Sequence, residues 1–196
     1  MSKQNGYLSN QFFRWLFANI LGFGALGASL LVIPSIMSIS GIVSSTLIIT
    51  IPIAFAQWIA LRRILQTSIL WILTIPIGLL LGILFNRVIP VGLWQVVDND
   101  SIAALTAGYF LIGFAIGLPQ WLILRRQLPK SWIWLLGSSI GVVAGFWIIL
   151  VTDLISQSGI SSYIVGVLVY SIVTGLVLSG LLAYQNHSQA NLAAAT

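Results

Sequence analysis

Apolar residues run through this chain in long blocks separated by short polar stretches. A membrane-spanning helix needs about 20 mostly apolar residues. Six blocks meet that length, near 13–35, 42–61, 69–89, 102–124, 132–152 and 160–184. The 47 residues between Arg14 and Arg62 carry no charge. As one helix they would extend about 70 Å, more than twice the hydrocarbon thickness, so the chain must fold back. Pro34, with Ser35, Ser38, Ser40 and Gly41, marks the break; a re-entrant segment there is the competing reading. The pattern predicts an all-α polytopic bundle over 13–184, between a polar N-terminus at 1–12 and a polar, small-residue tail at 185–196 that should fray.

Part of this pattern is a duplication. Gln57-Trp58-Ile59-Ala60-Leu61-Arg62-Arg63 returns 63 residues later as Gln120-Trp121-Leu122-Ile123-Leu124-Arg125-Arg126, and 57–82 matches 120–145 at 12 of 26 positions. The offset carries the second span onto the fourth and the third onto the fifth, so copies near 42–89 and 102–152 point the same way through the bilayer. A pseudo-twofold or pseudo-threefold axis along the membrane normal is expected. Inverted repeats mark many secondary transporters, although parallel ones occur among them too.

Charge placement fits six spans. With both termini cytoplasmic, Lys3, Arg14, Arg62, Arg63, Arg125, Arg126 and Lys130 lie inside, and Arg87, Asp98, Asp100 and Asp153 lie outside. Seven bases against one is a strong positive-inside bias. Charged residues make up 6% of the chain, against roughly 25% in soluble domains. The net charge of +5 comes from bases scattered in ones and twos, a pattern that argues against nucleic acid.

The repeated residues admit two readings. Trp58 and Trp121 precede the arginine pairs, and Trp71 and Trp134 follow them on the returning helices. All four are expected at the cytoplasmic interface as an aromatic belt, or, with Arg62, Arg63, Arg125 and Arg126, around a basic pocket for an anionic lipid headgroup. Gln57 and Gln120 lie deeper and need partners. An interhelical hydrogen bond is the expected role, a ligand contact the alternative. Gly78 and Gly82, Gly113 and Gly117, and Gly141 and Gly145 repeat a small-residue spacing of four, with Thr50 and Ala54 in the same register, which suits close helix packing. Spans two to five are therefore expected to form the core. Pro52, Pro76 and Pro119 can kink helices but do not match across the repeat.

No catalytic set emerges. The chain has no cysteine and no glutamate; its three aspartates and the lone His187 fall on opposite sides of the expected membrane. Asp153 reads as a solvated helix-end acid, and Asn19 and the hydroxyls of the sixth span read as isolated polar residues. No metal or cofactor is predicted.

The doubled Gln-Trp-x-x-Leu-Arg-Arg element, the tryptophan eight residues after the second arginine and the Gly-rich helix at Tyr170–Leu176 resemble those of uncharacterised bacterial membrane proteins, largely of cyanobacterial type. The resemblance covers about 50–184. This chain departs from the usual pattern at Ala60 and Lys130. The resemblance implies a plasma or thylakoid membrane and carries no activity. The expected function is non-enzymatic: an assembly, packing or lipid-organising component, with membrane lipids, a membrane-protein partner or a second copy as partners. The alternatives are a carrier or channel for a small uncharged solute and a pigment- or quinone-binding accessory protein.

Overall fold

In hydrocarbon a backbone must satisfy its own hydrogen bonds, and a helix does so within one segment. The computed structural model describes residues 10–23, 39–62, 64–65, 67–88, 102–157 and 159–194, and its regular elements are all helical. The helices are α1 (10–23), α2 (Ile39–Leu61), α3 (Thr74–Val88, entered through a 3-10 turn at Ile69–Leu73), α4 (Ile102–Leu124), α5 (Ile133–Ser156) and α6 (Gly159–Ala194). Three stretches, Ile102–Leu124, Ile133–Ile155 and Ser161–Ala193, are long and apolar enough to cross a membrane. The expectations concerning Lys3, the break at Pro34, Arg63, Asp98 and Asp100 lie outside the described residues, as does the side chain of Arg87.

Six helices close on one another through near-backbone contacts. A Cβ on Gly22 would lie 2.6 Å from the Ile53 Cα, seating α1 on α2. One on Gly78 would collide with the Ile116 Cα, and one on Gly82 would touch Ile112, seating α3 on α4. A Cβ on Gly113 would lie 2.6 Å from the Ser139 Cα and one on Gly117 3.0 Å from the Ser138 Cβ, joining α4 to α5. Gly141 meets Tyr170 and Gly145 meets the Gly166 carbonyl, joining α5 to α6. A tryptophan completes the ring: Trp15 of α1 donates its indole N–H to Thr174 of α6. Where no hydrophobic effect pulls helices together, such close approach supplies the dispersion contact.

Two proline effects are visible. Pro76 sits in the first turn of α3, where a missing N–H costs little. Pro119 lies inside α4 and removes the donor that Ala115's carbonyl would otherwise accept. That carbonyl oxygen faces Gly78, 2.8 Å from where a Cβ would stand.

Three expectations change. The helix at the N-terminus begins by residue 10, with Gln11 buried and Phe12 against Gly175, so the polar segment is shorter than 1–12. The tail expected to fray is helical as far as it is described: α6 runs unbroken for 36 residues to Ala194, and Gln185 donates to the Gln127 carbonyl in the α4–α5 turn. His187 is an exposed residue of that helix. The core is not confined to the second to fifth helices. Its largest cluster takes Trp15 from α1 and Leu178, Leu181 and Leu182 from α6 alongside Leu61, Leu65, Trp71, Leu124, Leu128 and Trp134.

Candidate functional site

A buried polar side chain needs a hydrogen-bond partner, and an amide needs several. Gln57 is fully buried in α2. Its Nε2 donates to Asn19 Oδ1 on α1 at 2.8 Å. Its Oε1 accepts from Trp71 Nε1 at 3.3 Å and from Gln120 Nε2 on α4 at 3.4 Å. Gln120, also fully buried, accepts the Trp134 indole N–H at 2.9 Å. Asn19 passes the chain of bonds to its own helix, donating to the Trp15 carbonyl. Trp15 donates to Thr174 Oγ1 at 3.0 Å, and that hydroxyl donates to the Tyr170 carbonyl. Trp15 and Trp134 meet edge to face at 5.5 Å. One connected layer thus ties six segments together.

The parts recur at fixed spacings. Trp15, Trp71 and Trp134 each give their N–H to a side chain on a neighbouring helix, respectively Thr174, Gln57 and Gln120. Seven residues after each tryptophan stands a glycine, Gly22, Gly78 or Gly141. These glycines pack on Ile53, Ile116 and Tyr170, which lie four residues before Gln57, Gln120 and Thr174. Four and eight residues after those acceptors come the buried leucines Leu61 and Leu65, Leu124 and Leu128, and Leu178 and Leu182. The leucines fill the arginine end of the molecule. Both hairpins there make the same turn: Leu65 N–H bonds to Leu61, and Leu128 N–H to Leu124.

The tryptophans divide into two kinds. Trp71 and Trp134 have no exposed surface, so they are core residues and not the interface belt expected of them. Each donates its indole N–H to the buried glutamine of the preceding helix, which holds the ring inward. Trp58 and Trp121 do lie at the rim, half-buried, under Arg62 at 5.0 Å and Arg125 at 5.2 Å. Trp58 Nε1 also donates to the Thr67 carbonyl. Arg126 is exposed, and Lys130 stands over Tyr184 at 4.2 Å. Gln11 Oε1, Thr67 Oγ1 and Ser179 Oγ are buried at this end with no partner.

On the other side of the amide layer lies a cavity of about 530 Å³ lined by all six helices. Ile53, Ile116 and Tyr170 line it one turn from the amides, so they separate the two. Around it stand Phe23, Tyr163 and a Tyr109–Phe146 pair stacked at 3.5 Å. Its polar side chains are Thr50 and the three tyrosines. Among the described residues that line it there is no carboxylate, imidazole or amine. Among the described residues no group of three or more His, Cys, Asp or Glu could hold a metal, and Asp153 is exposed on α5. Volume and lining suit a small apolar or aromatic molecule.

Asn19, Trp15 and Thr174 were not legible as partners from the sequence; Asn19 and one α6 hydroxyl, Thr174, expected to be isolated, converge here. A signal existed. The spacing from Trp15 to Gly22 equals that from Trp71 to Gly78 and from Trp134 to Gly141, and the leucines four and eight residues after Thr174 repeat those after Gln57 and Gln120. Comparison of the chain with protein families, with curated proteins and with solved structures finds no match.

Proposed function

We propose that the chain is a six-span, non-enzymatic integral membrane protein, built from three parallel helix pairs and serving as a packing and lipid-organising component of a larger membrane assembly. Each pair brings one helix that carries a tryptophan at its arginine end or in the turn leading into it, α1, α3 or α5, and one helix, α2, α4 or α6, that bears the acceptor for a neighbouring pair's tryptophan. The arginine end faces the cytoplasm, in keeping with the positive-inside bias. The observation that carries this reading is the use of the buried amides. Each is engaged with another helix, so the layer acts as a lock between segments with no reactive group aimed at the cavity. Purification in mild detergent is expected to recover the protein with a partner or with bound anionic lipid. Recovery as a bare, lipid-free monomer would contradict it.

The cavity favours a second reading. A chamber lined by six helices and closed at one end by a hydrogen-bonded layer suits a carrier for a small uncharged solute, or a holder of an apolar pigment or quinone. Flux into proteoliposomes tests the first form. The visible absorption of the purified protein, where tryptophan and tyrosine are transparent, tests for a pigment, and the oxidised-minus-reduced spectrum of an organic-solvent extract tests for a quinone.

A further inference from the structure

The repeated spacings supply an internal control, because they allow corresponding positions at the three pair interfaces to be compared. Between α1 and α2 a groove of about 470 Å³ opens at the arginine end, lined in part by Ala18, Ala56 and Ala60 and flanked by Arg14 and Arg62. At the α3–α4 interface the corresponding residues are Thr74, Pro119 and Ile123, with Leu70 in place of Arg14 and Arg125 in place of Arg62. At the α5–α6 interface they are Gly137, Val173 and Val177, with Ile133 and Ser179 in place of the arginines. There the space is filled: Val177 Cγ2 lies 2.7 Å from where a Cβ on Gly137 would stand. Only the first interface joins three alanines to two arginines.

Resting on the lipid-organising reading above, we propose that this groove binds one anionic phospholipid, its phosphate between Arg14 and Arg62 and an acyl chain along the alanine floor. Charge complementarity identifies the occupant. Both arginines are exposed, and among the described residues neither has a carboxylate partner. The one acid described, Asp153, lies 20 residues into α5 from its arginine-end start at Ile133, about 30 Å along the helix. Arg62 Cζ lies over the Trp58 ring, 5.0 Å from its centroid, a cation–π contact that uses the guanidinium's charge without consuming an N–H donor. Phe17 and Leu21 line the groove and are exposed, so its wall faces the acyl region and not water. A soluble anion would find the charge but lose the wall.

Native mass spectrometry of the full chain, released from nanodiscs of phosphatidylglycerol and phosphatidylcholine, tests this. Wild type is expected to retain one phosphatidylglycerol. The double substitution Arg14→Gln/Arg62→Gln should lower its preference for that lipid about thirtyfold, at the strength typical of interfacial bases. Ala60→Ile, which places the α3–α4 residue in the groove while keeping both arginines, should lower retention of either lipid. Arg125→Gln should change nothing. If loss instead follows Arg125→Gln, lipid binding stands and the groove assignment falls. If wild type retains no anionic lipid, both fall. Displacement of the lipid by millimolar inorganic phosphate would overturn the acyl-chain half of the proposal.

Discussion

The two halves of this bundle use the same six helices for opposite ends. Toward the arginines the interior is filled: tryptophan rings, paired leucines and a layer of amides whose oxygens and nitrogens are engaged across helices. One turn past that layer the interior opens into a chamber of about 530 Å³ walled by aromatic rings. The difference teaches where stability resides and where binding can. In lipid, helices gain little from burying apolar surface against one another, so packing density and interhelical hydrogen bonds carry association. The arginine half has both. The other half is less densely packed, so the side chains lining that space make fewer dispersion contacts with one another.

The sharpest way to break this contrast is to hollow out the filled half. Trp134→Ala would remove a fully buried ring and leave the Gln120 oxygen without its donor. The expected loss is about 3–5 kcal/mol, read from the unfolding midpoint in mild detergent. A loss below about 1 kcal/mol would mean that the tryptophan layer is not what holds the bundle. Gln57→Ala comes next, because that amide bonds to Asn19, Trp71 and Gln120. About 2–3 kcal/mol is expected from partners left unpaired. Gln120→Ala, at the edge of the layer, should cost about 1–2 kcal/mol; equal losses for the two glutamines would deny Gln57 its central place. The smallest effect belongs to the open half. Val142→Phe would project a ring into the chamber and should shift the midpoint by less than about 1 kcal/mol, since the space is already there. The same variant should abolish solute flux or bound-chromophore absorption if either is present.

How far the sequence revealed this contrast can be judged residue by residue. Helix positions followed from hydropathy: 102–124 is expected from apolar length alone, and α4 is Ile102–Leu124. The glycines stand four apart in the sequence, and a Cβ on Gly78, Gly113 or Gly145 would meet the backbone of a neighbouring helix. The amide layer was half legible. Gln57 and Gln120 announced a need for partners, but Asn19 sits 38 residues from Gln57 and no local pattern joins them. Trp71 and Trp134 misled because hydropathy reads depth and not direction. Depth placed both rings at the interface, whereas a short loop and a 3-10 turn at Ile69–Leu73 point Trp71 inward. The C-terminal tail misled because its Gln, Asn and Ser residues look like loop. Gln185 nevertheless bonds to the α4–α5 turn, and that anchor carries the helix onward.

Every role assigned above depends on the helices threading the bilayer with the arginine end on one face. The chain has no cysteine, so single cysteines introduced at exposed positions report sidedness directly. Intact cells treated with an impermeant maleimide are expected to label Gln157→Cys, whereas Arg126→Cys and Ser188→Cys should label only after permeabilisation. Labelling of positions 126 and 157 from the same side, or of 126 and 188 from opposite sides, would contradict the arrangement.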